Sequence, residues 1–512
     1  MNPALPNRKI RVARRKSGVK PARTLMVWGT ASGVGKSVLV SALCRIFLRR
    51  GLRVCPFKAQ NMSLNSYVTL DGGEMARAQV VQAQASGLEP EVDMNPVLLK
   101  PSSNAMAQVI LRGEPIGKYS ALQYKNLKAK IWGAVTDSLD RIRNNYDLVI
   151  MEGAGSPAEI NLASHDIANL KIAEYAQSPV LLAADIDKGG VFASIYGTIA
   201  LLPERTRRLI RGLIINKFRG DKRLLKSGLD YIEKVTGKKV CGVIPYFNDI
   251  LIPEEDSANI ENKKNKTGHP LKIAVLKLPH ISNFTDFDSL AYESDVDLSY
   301  AQGKKDLEDM DMLIIPGSKN TLGDTRYLHN SGLTQVIKQL HQKGAFVFGV
   351  CGGFQMLGSK IVDPLGVESD LREIRGIGLL KVETSFGKEK ILRRVKGRML
   401  RKNIRVRGYE IHHGLTNRLN GQKALFELTD ISGKIRGDGA VSNDGRVYGS
   451  YLHGVFDQPD FRNLILNKLR MKKGLPLKAR ASGINLDAEF EKLADLVENN
   501  LDMKWLDKII FG

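Results

Sequence analysis

The residues GTASGVGKS near the N-terminus of the 512-residue chain have the types and spacing of a phosphate-binding loop. They follow the apolar run TLMVWG, which is typical of a buried strand, and precede the helical pattern SVLVSALCRIFLRR. Glycines such as Gly33 and Gly35 allow backbone N–H groups to close around phosphate oxygens. Lys36 could reach the β- and γ-phosphates, and the hydroxyl of Ser37 could bind Mg²⁺. We therefore predict a nucleotide site at this strand–loop–helix unit, with ATP and Mg²⁺ as ligands.

The loop departs from the usual motif at one position. Gly29 stands one residue too early, and Thr30 occupies the place where the motif has its first glycine. The pattern G-T-x-x-x-x-G-K-[ST] is similar to that of dethiobiotin synthetase and its relatives, which phosphorylate or activate carboxylates. Partitioning ATPases carry a signature lysine in a related loop, whereas this chain has Ala31 at that place. We therefore expect Thr30 to belong to the nucleotide site of a carboxylate-activating enzyme.

Two charged residues stand at the ends of other predicted strands. Glu152 closes YDLVIMEGAG, and an acid at the carboxyl edge of a parallel sheet could bind Mg²⁺ or position water. Lys58 ends RVCPFK and could neutralise a carboxylate or the transferred phosphate. The alternatives are a helix-capping acid for Glu152 and a surface cation for Lys58.

Further polar residues follow later strands of the same half. Asn216, at the end of IRGLIINK, resembles the asparagine with which the dethiobiotin synthetase relatives read adenine. Asp185, Asp187 and Lys188 in AADIDKGG could serve a metal or a phosphate, and a solvated turn explains them equally well.

A second candidate site lies in the C-terminal half. The run AFVFGVCGGFQMLG places Cys351 between a buried strand and a helix, with glycines on both sides that permit a sharp turn. The positive end of the helix dipole favours a thiolate there, so Cys351 is a candidate nucleophile. The N–H group after Cys351, together with Gly317-Ser318, could stabilise an oxyanion. GSYLHG supplies His453 as the base.

The cysteine and histidine, in this order and context, resemble the class I glutamine amidotransferase domain. Most of that class carries an acid two residues after the histidine, but here that position is Val455. The third member of the triad is therefore either missing or supplied from elsewhere. Glu410 or His412 in RGYEIHHG could orient the site, although we assign neither a catalytic role. We expect His453 to lack strong electrostatic support and glutamine hydrolysis to be slow.

The net charge of +23 invites a nucleic-acid interpretation. However, eight Lys/Arg fall in the first 24 residues without an acid, and no nucleic-acid motif or aromatic platform accompanies them. We interpret that segment as a basic tail and expect no nucleic-acid partner. No apolar run is long enough to cross a bilayer or to form a signal peptide, so we expect a cytoplasmic protein without a membrane partner.

Apolar runs alternate with amphipathic stretches in both halves, which predicts two α/β domains built on mainly parallel sheets. Residues 365–445 resist assignment. The expected strands are Thr24–Gly29, Arg53–Ala59, Tyr146–Gly153, Pro179–Ile186, Ile210–Lys217, Lys239–Tyr246, Leu271–Pro279, Met312–Gly317, Ala345–Gly349 and Arg446–Leu452.

The predicted organisation has five parts. We expect the helical patterns Phe461–Met471 and Ala488–Trp505 of the last part to pack on one of the two domains. The parts are a basic tail (1–23), an ATP-dependent amidoligase domain (24–253), a polar linker (254–270), a glutamine amidotransferase domain (271–457) and a helical C-terminal extension (458–512).

Taken together, the chain from Thr24 to about Asp457 resembles the cobyric acid synthase family. The matching segments are PFKAQNMSLNS, MEGAGSPAEINL, DIDKGGVFAS, INKFRGD, PGSKNT, GVCGGFQMLG, GYEIHHG and YGSYLHGVFD. The resemblance implies amidation of the b, d, e and g carboxylates of adenosylcobyrinic acid a,c-diamide, a corrinoid. Each cycle would use one ATP, with Mg²⁺, and one glutamine. It also implies that the QNMSLNS and SPAEINL segments contact the corrinoid.

Three alternatives remain at this stage. A sister enzyme that amidates the a and c carboxylates shares both domains, although QNMSLNS and DIDKGGVFAS argue against it. A partitioning or nucleic-acid-associated ATPase is the alternative from another class. A protein with an inactive glutaminase that uses free ammonia is the third.

Because the basic tail precedes the first strand and carries no core pattern, deleting residues 1–22 should leave the rate of amidation nearly unchanged. The measurement is the amidation rate of the soluble, folded truncated protein beside the full chain. A large fall in that rate would assign the tail a functional role.

Overall fold

The structure is a computed structural model that describes residues 21–102, 106–161, 166–253 and 268–512. Most of the predicted basic tail (1–23) and of the predicted linker (254–270) lies outside these ranges. The described residues form two α/β halves, one before and one after the linker.

Outside the segment between β2 and α4, the N-terminal half alternates strands and helices, because apolar runs of four to nine residues alternate with amphipathic stretches. Its strands are β1 (Arg23–Gly29), β2 (Val54–Phe57), β3 (Gln60–Met62), β4 (Ser66–Val68), β5 (Glu74–Ala76), β6 (Val97–Ser102), β7 (Met106–Leu111), β8 (Glu114–Ser120), β9 (Leu148–Glu152), β10 (Val180–Asp185), β11 (Ile210–Phe218) and β12 (Lys239–Pro245). Its helices are α1 (Lys36–Arg49), α2 (Arg77–Ala85), α3 (Ala121–Asn126), α4 (Lys128–Asn145), α5 (Leu170–Ala176), α6 (Val191–Leu201), α7 (Glu204–Arg207) and α8 (Lys226–Thr236).

A parallel sheet with the strand order β12-β11-β10-β1-β9-β2 forms the centre of this half, as predicted. Its inner strands are buried along nearly their whole length, because helices cover both faces of the sheet. The carboxyl ends of β1, β9, β10 and β11 lie side by side at one edge, where α/β sheets bind ligands.

The segment between β2 and α4 adds structure that sequence periodicity does not reveal. β3 pairs in parallel with β6, while β6, β7 and β8 form an antiparallel run, and β4 pairs with β5. β8 is partly exposed along its length, so its sequence EPIGKYS shows no apolar alternation.

The C-terminal half begins at Leu271 and contains a second parallel sheet, an antiparallel sheet and the C-terminal helices. Its strands are β13 (Leu271–Leu276), β14 (Ile281–Ser282), β15 (Val296–Ala301), β16 (Met312–Ile315), β17 (Gly317–Ser318), β18 (Phe346–Val350), β19 (Lys360–Val362), β20 (Glu373–Arg375), β21 (Val382–Met399), β22 (Arg405–Arg418), β23 (Phe426–Asp430), β24 (Ile435–Asp438), β25 (Ala440–Val441) and β26 (Val447–Ser450). Its helices are α9 (Asp288–Ala291), α10 (Thr321–Asn330), α11 (Leu333–Gln342), α12 (Gly352–Leu357), α13 (Pro459–Lys472), α14 (Leu486–Glu498) and α15 (Met503–Phe511).

The second sheet has the strand order β15-β13-β16-β18-β26-β25 and is parallel except for β25. Residues 365–445, which the sequence left unassigned, contain most of a mainly antiparallel sheet in which the long strands β21 and β22 pair, while β19 pairs with β21 in parallel. The two long strands carry many arginines and lysines on a half-exposed surface, which hides their alternation.

The C-terminal helices correct two expectations. The pattern Ala488–Trp505 forms two helices, because Asp502 accepts a hydrogen bond from N–H of Trp505 and caps α15. The segment also packs on both halves. Helix α13 contributes Phe461 to the core of the C-terminal half, whereas α14 contributes Leu493 to the core that contains α1.

Because Leu493 is fully buried against the N-terminal half, Leu493→Ala should lower the free energy of unfolding by about 2–5 kcal/mol. Leu477→Ala is the matched control, since Leu477 is 56% exposed and should change stability by about 0.5 kcal/mol or less. Equal effects in thermal or urea unfolding would contradict the packing of α14 on α1.

Candidate functional site

The predicted phosphate-binding loop connects β1 to α1 at the carboxyl edge of the first sheet. Gly33 and Gly35 have φ angles of 71° and 96°, in the left-handed region that favours glycine. A Cβ atom on Gly35 would lie 2.2 Å from Nδ2 of Asn216, so the neighbouring strand also requires glycine there. N–H of Thr30 donates to the carbonyl of Ala183 at 3.0 Å, which ties the loop to β10.

Lys36 is buried inside this loop. Its Nζ donates hydrogen bonds to the carbonyl oxygens of Ala31 and Gly155, each at 2.9 Å. The ammonium therefore lies between the phosphate-binding loop and the turn after β9, where backbone oxygens hold it among the groups that would surround a nucleotide phosphate.

Glu152 is the centre of a buried polar cluster beside the loop. Its Oε1 accepts hydrogen bonds from Oγ of Ser37 and from Nζ of Lys58, each at 2.8 Å, and its Oε2 accepts one from Gln82. Burial alone would raise the pKa of Glu152, but Lys58 and the three hydrogen bonds hold it below its ordinary value. A hydroxyl and an ionised carboxylate in contact are oxygen donors of the kind that Mg²⁺ prefers, so this pair fits the ion.

The remaining N-terminal candidates lie along the same edge. Asn216 is buried, and its Nδ2 donates to the carbonyl of Val34 at 2.8 Å. Asp185 forms an ion pair with Lys217 at 2.8 Å. Asp187 forms an ion pair with Arg219, also at 2.8 Å. Lys188 is exposed and lies near the phosphate-binding loop, since a Cβ atom on Gly33 would be 3.9 Å from its Nζ. The two aspartates thus have cationic partners in the protein itself.

Cys351 occupies a sharp turn between β18 and α12. Its φ and ψ angles are 52° and −109°, a conformation that side-chain-bearing residues rarely adopt. The turn packs closely on β16, since a Cβ atom on Gly353 would lie 1.9 Å from the carbonyl oxygen of Ile315. The thiol of Cys351 donates to the carbonyl of Ile411 at 3.4 Å. This is the nucleophile-elbow geometry that the sequence predicted.

The proposed oxyanion donors lie next to this turn. A Cβ atom on Gly352 would stand 2.9 Å from the backbone nitrogen of Ser318. Gly352 opens α12, and Ser318 ends β17, so the two N–H groups come from separate elements, and Ser318 and Cys351 line the same cavity. Such a pair of backbone donors is what an oxyanion hole requires.

His453 has an acidic partner, which corrects the expectation that it lacks electrostatic support. Its Nδ1 lies 2.6 Å from Oδ2 of Asp286, and N–H of Gly454 donates to the other oxygen at 3.2 Å. Although burial favours the neutral ring, Asp286 and the interaction with Cys351 raise the pKa of His453 to about 10. The imidazolium form is therefore stable at neutral pH, beside the candidate nucleophile.

Asp286 is the residue that sequence reasoning missed. It lies 167 positions before His453, whereas position 455, where most class I amidotransferases have the acid, is occupied by Val455, buried among apolar residues. A single helical turn, Phe284–Phe287, presents Asp286 after the left-handed residue Asn283. The available signal was the polar run SNFTDFD directly after the first strand of the C-terminal half.

Glu410 and His412 occupy other positions. Glu410 forms ion pairs with Arg393 of β21 at 3.0 Å and with Arg436 of β24, so its charge is balanced by these two arginines. His412 bonds through Nδ1 to the carbonyl of Gly414 at 3.0 Å, and burial lowers its pKa to about 3. Neither side chain contacts the Nδ1 atom of His453, whose acidic partner is Asp286.

The RGYEIHHG segment nevertheless holds His453 through its backbone. N–H of His453 donates to the carbonyl of Tyr409 at 2.9 Å, and the two rings stack with centroids 5.2 Å apart. A Cβ atom on Gly408 would lie 2.1 Å from the carbonyl oxygen of His453, so only glycine permits this approach.

The described ranges contain no group of three or more His, Cys, Asp or Glu side chains arranged to hold a metal ion. No helix in the same ranges has the length and apolarity that crossing a membrane requires.

Comparisons with known proteins agree on both halves. Residues 25–259 match the CobQ/CobB/MinD/ParA nucleotide binding domain, and residues 272–461 match the CobB/CobQ-like glutamine amidotransferase domain. The chain is 50% identical over 491 residues to a cobyric acid synthase of Clostridium botulinum (strain Loch Maree / Type A3), covering 95% of this chain and 99% of that protein. It is 49% identical over 480 residues to a cobyric acid synthase of Clostridium acetobutylicum, covering 94% and 97%. A cobyric acid synthase of Clostridium kluyveri is 50% identical over 491 residues, covering 95% and 98%.

Because Asp286 holds His453 in its charged form, Asp286→Asn should reduce glutamine hydrolysis by roughly 10²-fold or more. The raised pKa also implies a direction for the pH profile. Losing the carboxylate should move the alkaline limb of the profile, which reports deprotonation of His453, from near pH 10 to lower pH.

The comparison variant is Glu410→Gln, which removes a buried acid of the same half that does not contact His453. It should reduce hydrolysis less than either Asp286→Asn or His453→Ala. If Glu410→Gln proves as damaging as the other two, the assignment of Asp286 as the third member of the triad is wrong.

Proposed function

The chain belongs to the cobyric acid synthase family, and we propose that it amidates the b, d, e and g carboxylates of adenosylcobyrinic acid a,c-diamide. The product would be adenosylcobyric acid, an intermediate of cobalamin biosynthesis. The supporting observation is identity of 49–50% to cobyric acid synthases along 94–95% of the chain. We class the enzyme as a carbon–nitrogen ligase with glutamine as nitrogen donor, acting in the cytoplasm, where ATP and glutamine are available.

In the first step a substrate carboxylate would attack the γ-phosphate of ATP to form an acyl phosphate and ADP. The backbone of the loop, with Thr30, Gly33 and Gly35, is positioned to bind phosphate oxygens, and Lys36 to neutralise them. Asn216, next to Gly35, is our candidate contact with the adenine base.

The cluster around Glu152 would complete the nucleotide site. Ser37 and Glu152 supply oxygen ligands for Mg²⁺, and Lys58 can shift its ion pair from Glu152 to the substrate carboxylate or the transferred phosphate. Bound Mg²⁺ would neutralise phosphate charge. Phosphoryl transfer depends mostly on such positioning and neutralisation, because the protein forms no covalent bond in it.

In the second site the sulfur of Cys351 would attack the carboxamide carbon of glutamine. The N–H groups of Gly352 and Ser318 stabilise the oxyanion, and imidazolium His453 gives its proton to the leaving nitrogen, so that ammonia departs. Water then attacks the thioester, releases glutamate and restores the thiolate and imidazolium. Asp286 holds the histidine ring throughout.

Ammonia would then attack the acyl phosphate, displacing phosphate and leaving the amide. A protein with an inactive glutaminase that uses only free ammonia is less consistent with the site, since the turn at Cys351 and the pair His453–Asp286 are both present. The sister reaction at the a and c carboxylates is less consistent with the names of the relatives.

Separate sites make a paired prediction about the nitrogen source. Cys351→Ala should abolish amidation with glutamine but keep it with high ammonium, because carboxylate activation is intact. Lys36→Ala should remove amidation with either donor, because no acyl phosphate forms. Lys234→Ala, an exposed lysine on α8, is the control and should resemble the unchanged protein.

The measurement is mass spectrometry of the corrinoid after incubation with ATP and each nitrogen donor, counting up to four conversions of carboxylate to amide. An unaltered a,c-diamide, together with amidation of a corrinoid whose a and c carboxylates are free, would refute the proposed substrate. Ammonium-dependent turnover by Lys36→Ala would refute the assigned role of Lys36.

A further inference from the structure

A cavity opens beside Cys351 and His453, and its walls carry several charges. Both halves of the chain contribute to it, since Lys100 belongs to β6 and the other charged residues follow the linker. Its charged lining residues other than His453 are Lys100, Lys319, Glu368 and Lys390.

Two of these lysines share a carboxylate behind the wall. Nζ of Lys100 lies 2.7 Å from Oε1 of Glu74, and Nζ of Lys390 bonds to Oε2 of the same residue. Despite complete burial, the two cations lower the pKa of Glu74 well below its ordinary value. This buried triad joins the two halves and carries one excess positive charge.

Lys319 and Glu368 have a different environment. Nζ of Lys319 donates to Oε1 of Gln108 at 2.7 Å, and Oε2 of Glu368 accepts from N–H of Thr321 at 3.0 Å. Both partners are uncharged, and neither residue forms an ion pair within the described part of the chain. The cavity therefore presents a cation and an anion that attract each other electrostatically, but within the described ranges neither has an opposite protein charge in direct contact with it.

Burial makes this arrangement costly without a ligand. Burial, Lys390 and Lys100 lower the pKa of Lys319 well below its ordinary value. Burial likewise raises the pKa of Glu368. A ligand with a carboxylate and an ammonium group would lower both costs, because each buried charge would gain an opposite charge in direct contact with it.

The same backbone that places the oxyanion donor also places these two charges. Lys319 directly follows Ser318, the proposed second donor, and Thr321, which holds Glu368, has its Oγ1 3.2 Å from the Cβ position of Gly352. Lys319 and Glu368 are thus held by Ser318 and Thr321, two residues that contact the turn at Cys351.

We propose that Lys319 binds the α-carboxylate of glutamine and Glu368 binds its α-ammonium group, while the carboxamide lies at Cys351. The proposal rests on the proposed function, for which it supplies the residues that select the nitrogen donor. A free amino acid carries both charges. A glutamine residue inside a peptide carries neither, and an amide that lacks one of them leaves a buried charge unmatched.

The test uses three amides in a hydrolysis assay that needs neither ATP nor corrinoid. Glutamine is compared with glutaramate, which lacks the α-amino group, and with 4-aminobutanamide, which lacks the α-carboxylate. Lys319→Met should raise the KM for glutamine roughly 10- to 100-fold and remove the preference over 4-aminobutanamide. Glu368→Gln should instead remove the preference over glutaramate.

Lys319→Met should keep the preference for glutamine over glutaramate, and Glu368→Gln should keep the preference for glutamine over 4-aminobutanamide. General damage to the fold would not give this crossed pattern. Ammonium-dependent corrinoid amidation should be unchanged in both, which reports folding. Lys360→Met and Glu373→Gln are the matched controls, because these residues form an exposed lysine–glutamate pair in the same half.

A binding measurement makes the test independent of turnover. In the Cys351→Ala protein, which cannot consume glutamine, calorimetry should show binding 10- to 100-fold weaker after Lys319→Met or Glu368→Gln. Unchanged glutamine binding, or an equal loss for all three amides in the hydrolysis assay, would overturn the proposal. Failure of the proposed corrinoid reaction would appear separately, as unaltered corrinoid in the mass spectrum while the crossed pattern remains.

Discussion

The contact between Asp286 and His453 depends on how the two halves of the chain dock. Asp286 belongs to a turn that begins at Asn283, whose φ angle is 52°. The side chain of Asn283 accepts from N–H of Ser66 at 3.1 Å and donates to the carbonyl of the same residue at 3.2 Å. N–H of Phe284 donates to the side chain of Asn65, also at 3.1 Å. Because these groups are buried, losing one of the hydrogen bonds would leave an unsatisfied polar group. The position of the turn relative to the N-terminal half is therefore closely fixed.

The segment that makes these contacts also begins at the nucleotide site. Lys58 contacts Glu152, and only the short strand β3 separates it from Asn65 and Ser66 at the glutaminase. Residues 58–66 therefore touch both sites within one short stretch of chain. A second connection runs through the buried triad of Lys100, Glu74 and Lys390, which ties β5 and β6 to β21. The proposed sites of ammonia production and carboxylate activation are thus connected by buried contacts between the two halves.

The sequence predicted what local patterns encode. The phosphate-binding loop and the turn at Cys351 each need glycines at fixed offsets, so both could be recognised from short segments. The parallel sheets were predicted because their strands are apolar on both faces. Asp286 was missed because its partner is 167 residues away and an acid in a polar turn has no local signature. Lys319 and Glu368 were missed for the same reason, since only the folded chain places them around one cavity.

The position of the third triad member has a physical consequence. An acid at position 455 would hold the ring of His453 through local chain geometry alone, whatever the other half of the chain did. Asp286 instead lies on a turn whose first residue is bonded to Ser66 in the N-terminal half. A small displacement of that segment would disturb the turn, and with it the hydrogen bond that keeps the imidazolium charged and oriented. Orientation of the candidate base His453 therefore depends on the contact between the two halves, because Asp286 lies on a turn that is bonded to the N-terminal half.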